Sequence, residues 1–433
     1  MATIIPFRGY RYDPAVVGSI SDVVTPPYDR VYPDVQQACY QRSPYNIVRI
    51  IKGLSQAADS DGNNVYTRAA DSLREWIAKR VLIRDSEPAF YAYHQTYSFE
   101  GEHLTRKGVI ALGKLEPEKV HAHENTLKGP KADRLKLMQA TEANFGHIFM
   151  LYNDPTRSTE KALRAVVESN APLIEATDAD GNLHQVWRIT DANIIATIQA
   201  ALDDKDLYIA DGHHRYETAV NFMHECQENG WQAAAPESFD VRMMTLFNVA
   251  DPGMSIRPIH RLIHGIEGFE ADDFFAAAAR DFHIEKHATV DAMMTATRDG
   301  RRQHMIGCVV GDSNVTFTLK DVTMMEALIG PDRSEDYKRL DVTILHAAIL
   351  DRLLGIDVKA LEEQRNVTYT VDADEGVAMV KTGKEQLFFY LNATSPEEVV
   401  RVADHNEKMP QKSTDFYPKL LTGLVLAKME IKK

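Results

Sequence analysis

This 433-residue chain is poor in cysteine, in long apolar runs and in net positive charge, and each shortage narrows what it can be. Its three cysteines, Cys39, Cys226 and Cys308, are far apart and in unlike surroundings. Such spacing makes neither a disulfide framework nor a zinc-ligand set, so small buried side chains are expected. No apolar run is long enough for a bilayer, and the first residues do not pair a charged flank with an apolar core. The expectation is a cytoplasmic protein without a membrane partner. The formal net charge of −14 is the wrong sign for a broad nucleic-acid footprint, so no nucleic-acid partner is expected. A local basic pocket for a phosphorylated small molecule stays open. Repeats and low-complexity tracts are also missing, and the length predicts about two or three domains.

What is present centres on Leu207-Tyr-Ile-Ala-Asp-Gly-His-His-Arg-Tyr-Glu-Thr-Ala219. The first four residues read as the end of a buried strand. Gly212 permits a tight turn. From His213 onward Ala219, Phe222 and Met223 recur at helical spacing. Asp211, His213, His214 and Arg215 therefore crowd a strand–turn–helix junction, and a helix start favours an anion.

Along the chain, Val23-Val-Thr-Pro-Pro-Tyr-Asp29 is a stiff loop, because consecutive prolines exclude a helix. Ile47 to Ile51 reads as a strand and Val65 to Val81 as a helix. Phe90 to Tyr97 and Arg106 to Leu115 read as an antiparallel pair around the Glu100-Gly-Glu turn. His123, Glu124, Lys131, Asp133 and Arg134 form a charged stretch before a helix that takes in Leu135, Leu137 and Met138. Strands are predicted over 147–152, 183–189 and 241–249, with helices over 159–167 and 191–202. Residues 268–330 look like a smaller α+β subdomain with a hairpin around Gly311. Asp341 to Leu350 reads as an amphipathic helix. In the tail, Lys412, Ser413 and Thr414 present an ammonium, hydroxyls and backbone N–H groups suited to phosphate. A docked structural tail fits the same residues.

Three chemistries use Asp-Gly-His-His-Arg. In metal ligation Asp211, His213 and His214 need help from His123, Glu124 or Asp133. In phosphoryl transfer Arg215 and the helix start hold phosphate while a carboxylate deprotonates the acceptor. In a structural role Asp211 caps the helix.

At this point the sequence resembles the bacterial and archaeal family catalogued as domain of unknown function 1015. The resemblance rests on Thr25-Pro-Pro-Tyr-Asp29, His123-Glu-Asn-Thr126 with Asp133-Arg134, Ala210 to Ala219, Leu340-Asp-Val342, and Met409 to Thr414 with Phe416-Tyr-Pro-Lys419. More distantly, Asp211-Gly-His-His-Arg-Tyr216 looks like the signature of ParB/sulfiredoxin-like domains, above all their free-serine kinases. That resemblance implies an α+β fold with a ParB/sulfiredoxin-like core over 101–265. An N-terminal α/β segment (1–100) precedes it, and an α+β subdomain with a tail returning to the core (266–433) follows.

The same resemblance implies phosphoryl transfer on serine or phosphoserine, as kinase or phosphatase, with ATP or ADP as a donor and Mg²⁺ at Asp211. Glu124 would be the base. Gly212, Arg215, His123, Asp133, Arg134, Lys412, Ser413 and Thr414 would bind phosphate or substrate, and His213 and His214 would assist. Sulfiredoxins carry a reactive cysteine where this chain has His213, which argues against sulfinic-acid reduction. The alternatives are a metal-dependent hydrolase and a non-catalytic nucleotide-binding or DNA-associated regulator.

Overall fold

The computed structural model describes residues 3–122 and 128–433. It has two compact units: residues 3–122, 128–254 and 418–433 form the first, and residues 255–417 the second. The sequence predicts divisions after residues 100 and 265.

Among the described residues, the first unit builds a nine-stranded mixed sheet. Its strands are β1 (Ile4–Ile5), β2 (Phe90–Phe99), β3 (Glu102–Lys114), β4 (Val120–Ala122), β5 (Ile148–Tyr152), β6 (Ile174–Thr177), β7 (Leu183–Ile189), β8 (Leu207–Asp211) and β9 (Val241–Asn248). They lie in the order β4-β8-β5-β9-β3-β2-β7-β6, with β1 paired to the end of β3. The pairs β4–β8 and β5–β9 are parallel, and the others are antiparallel. The expected hairpin is β2–β3. Its turn uses Glu100 and Gly101 at φ 49° and 83°, the positive angles that match the twist of a two-residue hairpin.

Helices α1 (Val65–Ala78), α2 (Lys128–Thr141), α3 (Ser158–Ser169), α4 (Ala192–Leu202) and α5 (His213–Glu228) belong to the same unit. Asn64 caps α1 through the N–H groups of Tyr66 and Thr67, and Asp191 caps α4. Helix α5 buries Ala219, Phe222, Met223 and Cys226 in one apolar cluster with Ile148 and Met150 of β5 and Leu207 and Ile209 of β8. That burial fixes where the helix starts relative to the strand end. All three cysteines are buried and free.

One predicted strand is a helix. Residues Val48–Ile51 are helical, although their β-branched run favours extended backbone. The Asn46 side chain accepts from the Val48 N–H and donates to the carbonyls of Asp22 and Val24. This cap, with burial of Val48, Ile50 and Ile51, overrides the local preference.

The second unit has a six-stranded antiparallel sheet among the described residues. Its strands are β10 (His260–Ile263), β11 (Phe282–His287), β12 (Ile306–Val310), β13 (Ser313–Leu319), β14 (Val367–Thr370) and β15 (Leu387–Tyr390), ordered β11-β13-β12-β15-β10-β14. The hairpin expected around Gly311 is β12–β13. The helix expected over Asp341 to Leu350 starts as an α-helix at Asp341–Ile344 and widens to a π-helix over Leu345–Asp351. The whole is a mixed α+β protein with a large mixed sheet. Among the described residues no helix is long and apolar enough to cross a membrane.

Candidate functional site

The pairing of β8 with β5 slips between Ile209 and Asp211, and such a bulge re-aims the side chain that follows. Gly212 comes next at φ 100° and ψ 26° and precedes the first residue of α5. A Cβ at this glycine would sit 3.0 Å from Arg215 Nε. The turn therefore needs glycine twice over, for its backbone angle and for the guanidinium packed against it.

Arg215 is buried and reaches back one turn, donating from Nη2 to Asp211 Oδ2 at 2.5 Å. Its Nη1 donates to the carbonyl of His147. Lys419 Nζ lies 3.6 Å from the other oxygen, Asp211 Oδ1. Burial pushes the Asp211 carboxyl up, but Lys419, Arg215, His213 and Arg30 outweigh it and hold the group well below the usual carboxylate range. Asp211 is thus a fixed anion within a ring of cations at a helix start. That geometry leaves positive potential for a second anion.

The cations come from segments far apart in sequence. Arg30 belongs to the turn Tyr28–Arg30 behind the two prolines. Thr25 and Thr422 exchange backbone hydrogen bonds at 3.1 and 2.8 Å, tying that loop to the C-terminal segment. Lys419 is placed by the β2–β3 hairpin. Gln95 Nε2 donates to the Lys419 carbonyl at 3.0 Å, and the Arg106 guanidinium donates to both Gln95 Oε1 and the Pro418 carbonyl. Arg106 is fully buried, with its guanidinium carbon 4.6 Å from the Phe149 ring centre and 4.8 Å from that of Phe247.

Asp133 and Arg134 join this neighbourhood through Tyr28. The Arg134 guanidinium stacks 4.2 Å from the centre of the Tyr28 ring and donates to Asp133 and to the Ile51 carbonyl. Tyr66 donates to Asp133 Oδ1 at 2.8 Å, and burial with that carboxylate pushes the phenol up to about 12. Burial and Asp29 raise the Tyr28 phenol, while Arg215 and Arg134 oppose them. Tyr28 therefore stacks on Arg134 and feels the charge of Arg215, the two arginines predicted for phosphate. Asp133 is engaged by Tyr66 and Arg134.

Of the expected site residues, Asp211, Gly212, His213, His214 and Arg215 form the junction, with His213 buried and His214 half-buried. Lys412, Ser413 and Thr414 belong to the second unit. There the buried Arg261 donates to the carbonyls of Gln411 and Lys412, and Ser413 Oγ donates to the Pro410 carbonyl. His123 and Glu124 lie outside the described residues. Arg30 is not among the expected site residues, and Lys419 appears only within the Phe416-Tyr-Pro-Lys419 motif without a site role, since cations in loops leave no periodic mark.

Among the described residues no group of three or more His, Cys, Asp or Glu is placed to hold a metal ion. The carboxylate of Asp211 already faces Arg215 and Lys419. This donor set does not fit a protein-held Mg²⁺.

The model of the family described as Protein of unknown function (DUF1015) matches residues 4–343. The chain belongs to this family. No curated protein matches it. Among solved structures it is similar to a free serine kinase in complex with AMP, at 11% identity and a TM-score of 0.35, over 71% of this chain and 86% of that one. It is similar to a conserved hypothetical protein from Pyrococcus furiosus at 12% identity and a TM-score of 0.34, over 72% and 92%. A C-terminally truncated SbnI from Staphylococcus aureus gives 10% identity and a TM-score of 0.35, over 72% and 85%.

Proposed function

We propose that this DUF1015 member is a phosphoryl-transfer enzyme acting on a small hydroxy amino acid, serine or phosphoserine, with ATP, ADP or inorganic phosphate as the other reactant. The observation that carries the reading is Asp211 held ionised between Arg215 and Lys419 at the start of α5. Phosphoryl transfer asks for oriented cations and N–H groups around spreading negative charge more than for covalent chemistry by the protein. The ParB/sulfiredoxin-like signature at Asp211 to Tyr216 supports the same reading, with residues 101–265 as the proposed core.

Arg215 and the backbone after Gly212 would hold the phosphoryl group, and Lys419 would meet its charge from the opposite side of Asp211. Asp211 would orient both cations. In the kinase direction Glu124 would take the hydroxyl proton as the serine oxygen attacks phosphorus, and the nucleotide oxygen would leave with the bonding electrons. In the phosphatase direction His213 or His214 would attack phosphorus or activate water, and the serine oxygen would leave with the bonding electrons and take up a proton.

The test is turnover. Purified protein is given serine with ATP or ADP, and separately phosphoserine, with magnesium supplied as the nucleotide's counter-ion. Phosphorus NMR should show transfer in at least one combination, lost in Glu124→Ala. No transfer in any combination rejects the proposal.

A further inference from the structure

A second feature of the first unit points to a bound anion. Strand β9 is buried throughout, and Arg242 is its one charged side chain. Its Nη2 donates to the Gly146 carbonyl at 3.1 Å, but Nε and Nη1 have no hydrogen-bond partner among the described residues. Arg242 lines a cavity of about 40 Å³ together with Tyr28, Arg134, Arg215, Thr218 and Thr422.

The three guanidinium groups at this cavity are not equivalent. Arg134 is paired with Asp133, and Arg215 with Asp211. Arg242 meets no carboxylate among the described residues. Burial, and then the neighbouring Arg215, push it down to about 9. A buried charge is ordinarily paired. Water in the cavity can satisfy two N–H groups but supplies no negative charge. A cavity of about 40 Å³ has room for about three water-sized groups. That suits a carboxylate or the oxygens of a phosphoryl group. The planar fork of a guanidinium matches either anion.

We propose that Arg242, with Arg215 and the hydroxyl of Thr422, forms an internal site for a compact oxyanion, either the carboxylate of an amino acid or a phosphate. The site adjoins the Asp211 junction and shares Arg215 with it. The inference goes beyond the phosphoryl-transfer reading, because anion binding needs no turnover.

The test is calorimetric titration of the full chain with inorganic phosphate, and separately with L-serine and with acetate. Wild type, Arg242→Met and Arg242→Lys are compared. Saturable binding of at least one anion is expected. Arg242→Met should weaken it at least tenfold and Arg242→Lys by less. Anion binding that is weakened in Arg242→Met supports the inference whether or not serine or phosphoserine is turned over, which separates it from the proposed reaction. Binding of phosphate alone identifies a phosphoryl group as the source, and binding of serine and acetate identifies a carboxylate. Without ligand, Arg242→Met should melt close to wild type, since removal of two unpaired buried donors offsets the lost bond to the Gly146 carbonyl. Should it fail to fold, Arg242→Lys carries the comparison. The proposal is overturned if wild type binds none of the three anions, or if the Arg242 variant that folds binds as tightly as wild type.

Discussion

Gly212 is the residue on which the junction depends. Its φ of 100° lies where side chains are disfavoured, and a Cβ would press on the Arg215 guanidinium at 3.0–3.1 Å. Gly212→Ala should cost about 1–3 kcal/mol from the backbone angle alone, read as a lower urea midpoint. It should also weaken phosphate-ligand binding by displacing Arg215 from Asp211. An unchanged midpoint would mean the turn is more permissive than its angles imply. At this scale the sequence was informative, because an apolar run, a glycine and a helical period are local signals. Lys419 and Arg30 were invisible as partners of Asp211, since contacts between distant segments leave no trace in spacing. Arg242 was hidden for the opposite reason, as one charge inside a strongly apolar strand.

At the scale of elements, the β2–β3 hairpin acts as a support for the C-terminal segment. Gln95 is shared between Arg106 and the Lys419 carbonyl, and Arg106 also holds the Pro418 carbonyl. Gln95→Leu removes an acceptor from a buried guanidinium and a donor from the Lys419 backbone. It should destabilise the protein by about 1–3 kcal/mol. As a positioning change it should also lower kcat more than it raises KM, and a loss of stability with unaltered kinetics would show a structural role only. The hairpin itself was legible from its aromatic alternation and the Glu100-Gly101 turn. The helix at Val48–Ile51 was not, because the Asn46 cap that decides it depends on carbonyls of Asp22 and Val24. The π-helical widening at Leu345–Asp351 also left no sign in the amphipathic pattern.

Across the whole molecule, buried neutral histidines set the response to acid. Burial pushes His94 down to about 4 and His147 to about 3 in the first unit, and His260 to about 3 in the second. Each folded value lies below that of an unfolded histidine, near 6.5. The unfolded chain therefore takes up protons first as pH falls. Their stability contribution is complete above about pH 6.5 and is lost progressively toward pH 3–4, by up to about 1.4 kcal/mol per pH unit for each group. Calorimetric Tm should be flat between about pH 7.5 and 8.5 and should fall clearly by about pH 5.5. A Tm that does not change from pH 7.5 to 5.5 would show that these histidines are solvated. Asp211, with its depressed carboxyl, adds a loss only at still lower pH.

The central claim is that a phosphoryl group moves where Arg215, Lys419 and the start of α5 surround Asp211. The most direct test is kcat/KM for phosphoryl transfer between nucleotide and serine, in wild type and in Lys419→Met. Wild type should turn over. The variant, folded by circular dichroism, should lose a factor of about 10²–10³, as expected for removing one group that stabilises transition-state charge. Wild-type activity in Lys419→Met would contradict the claim.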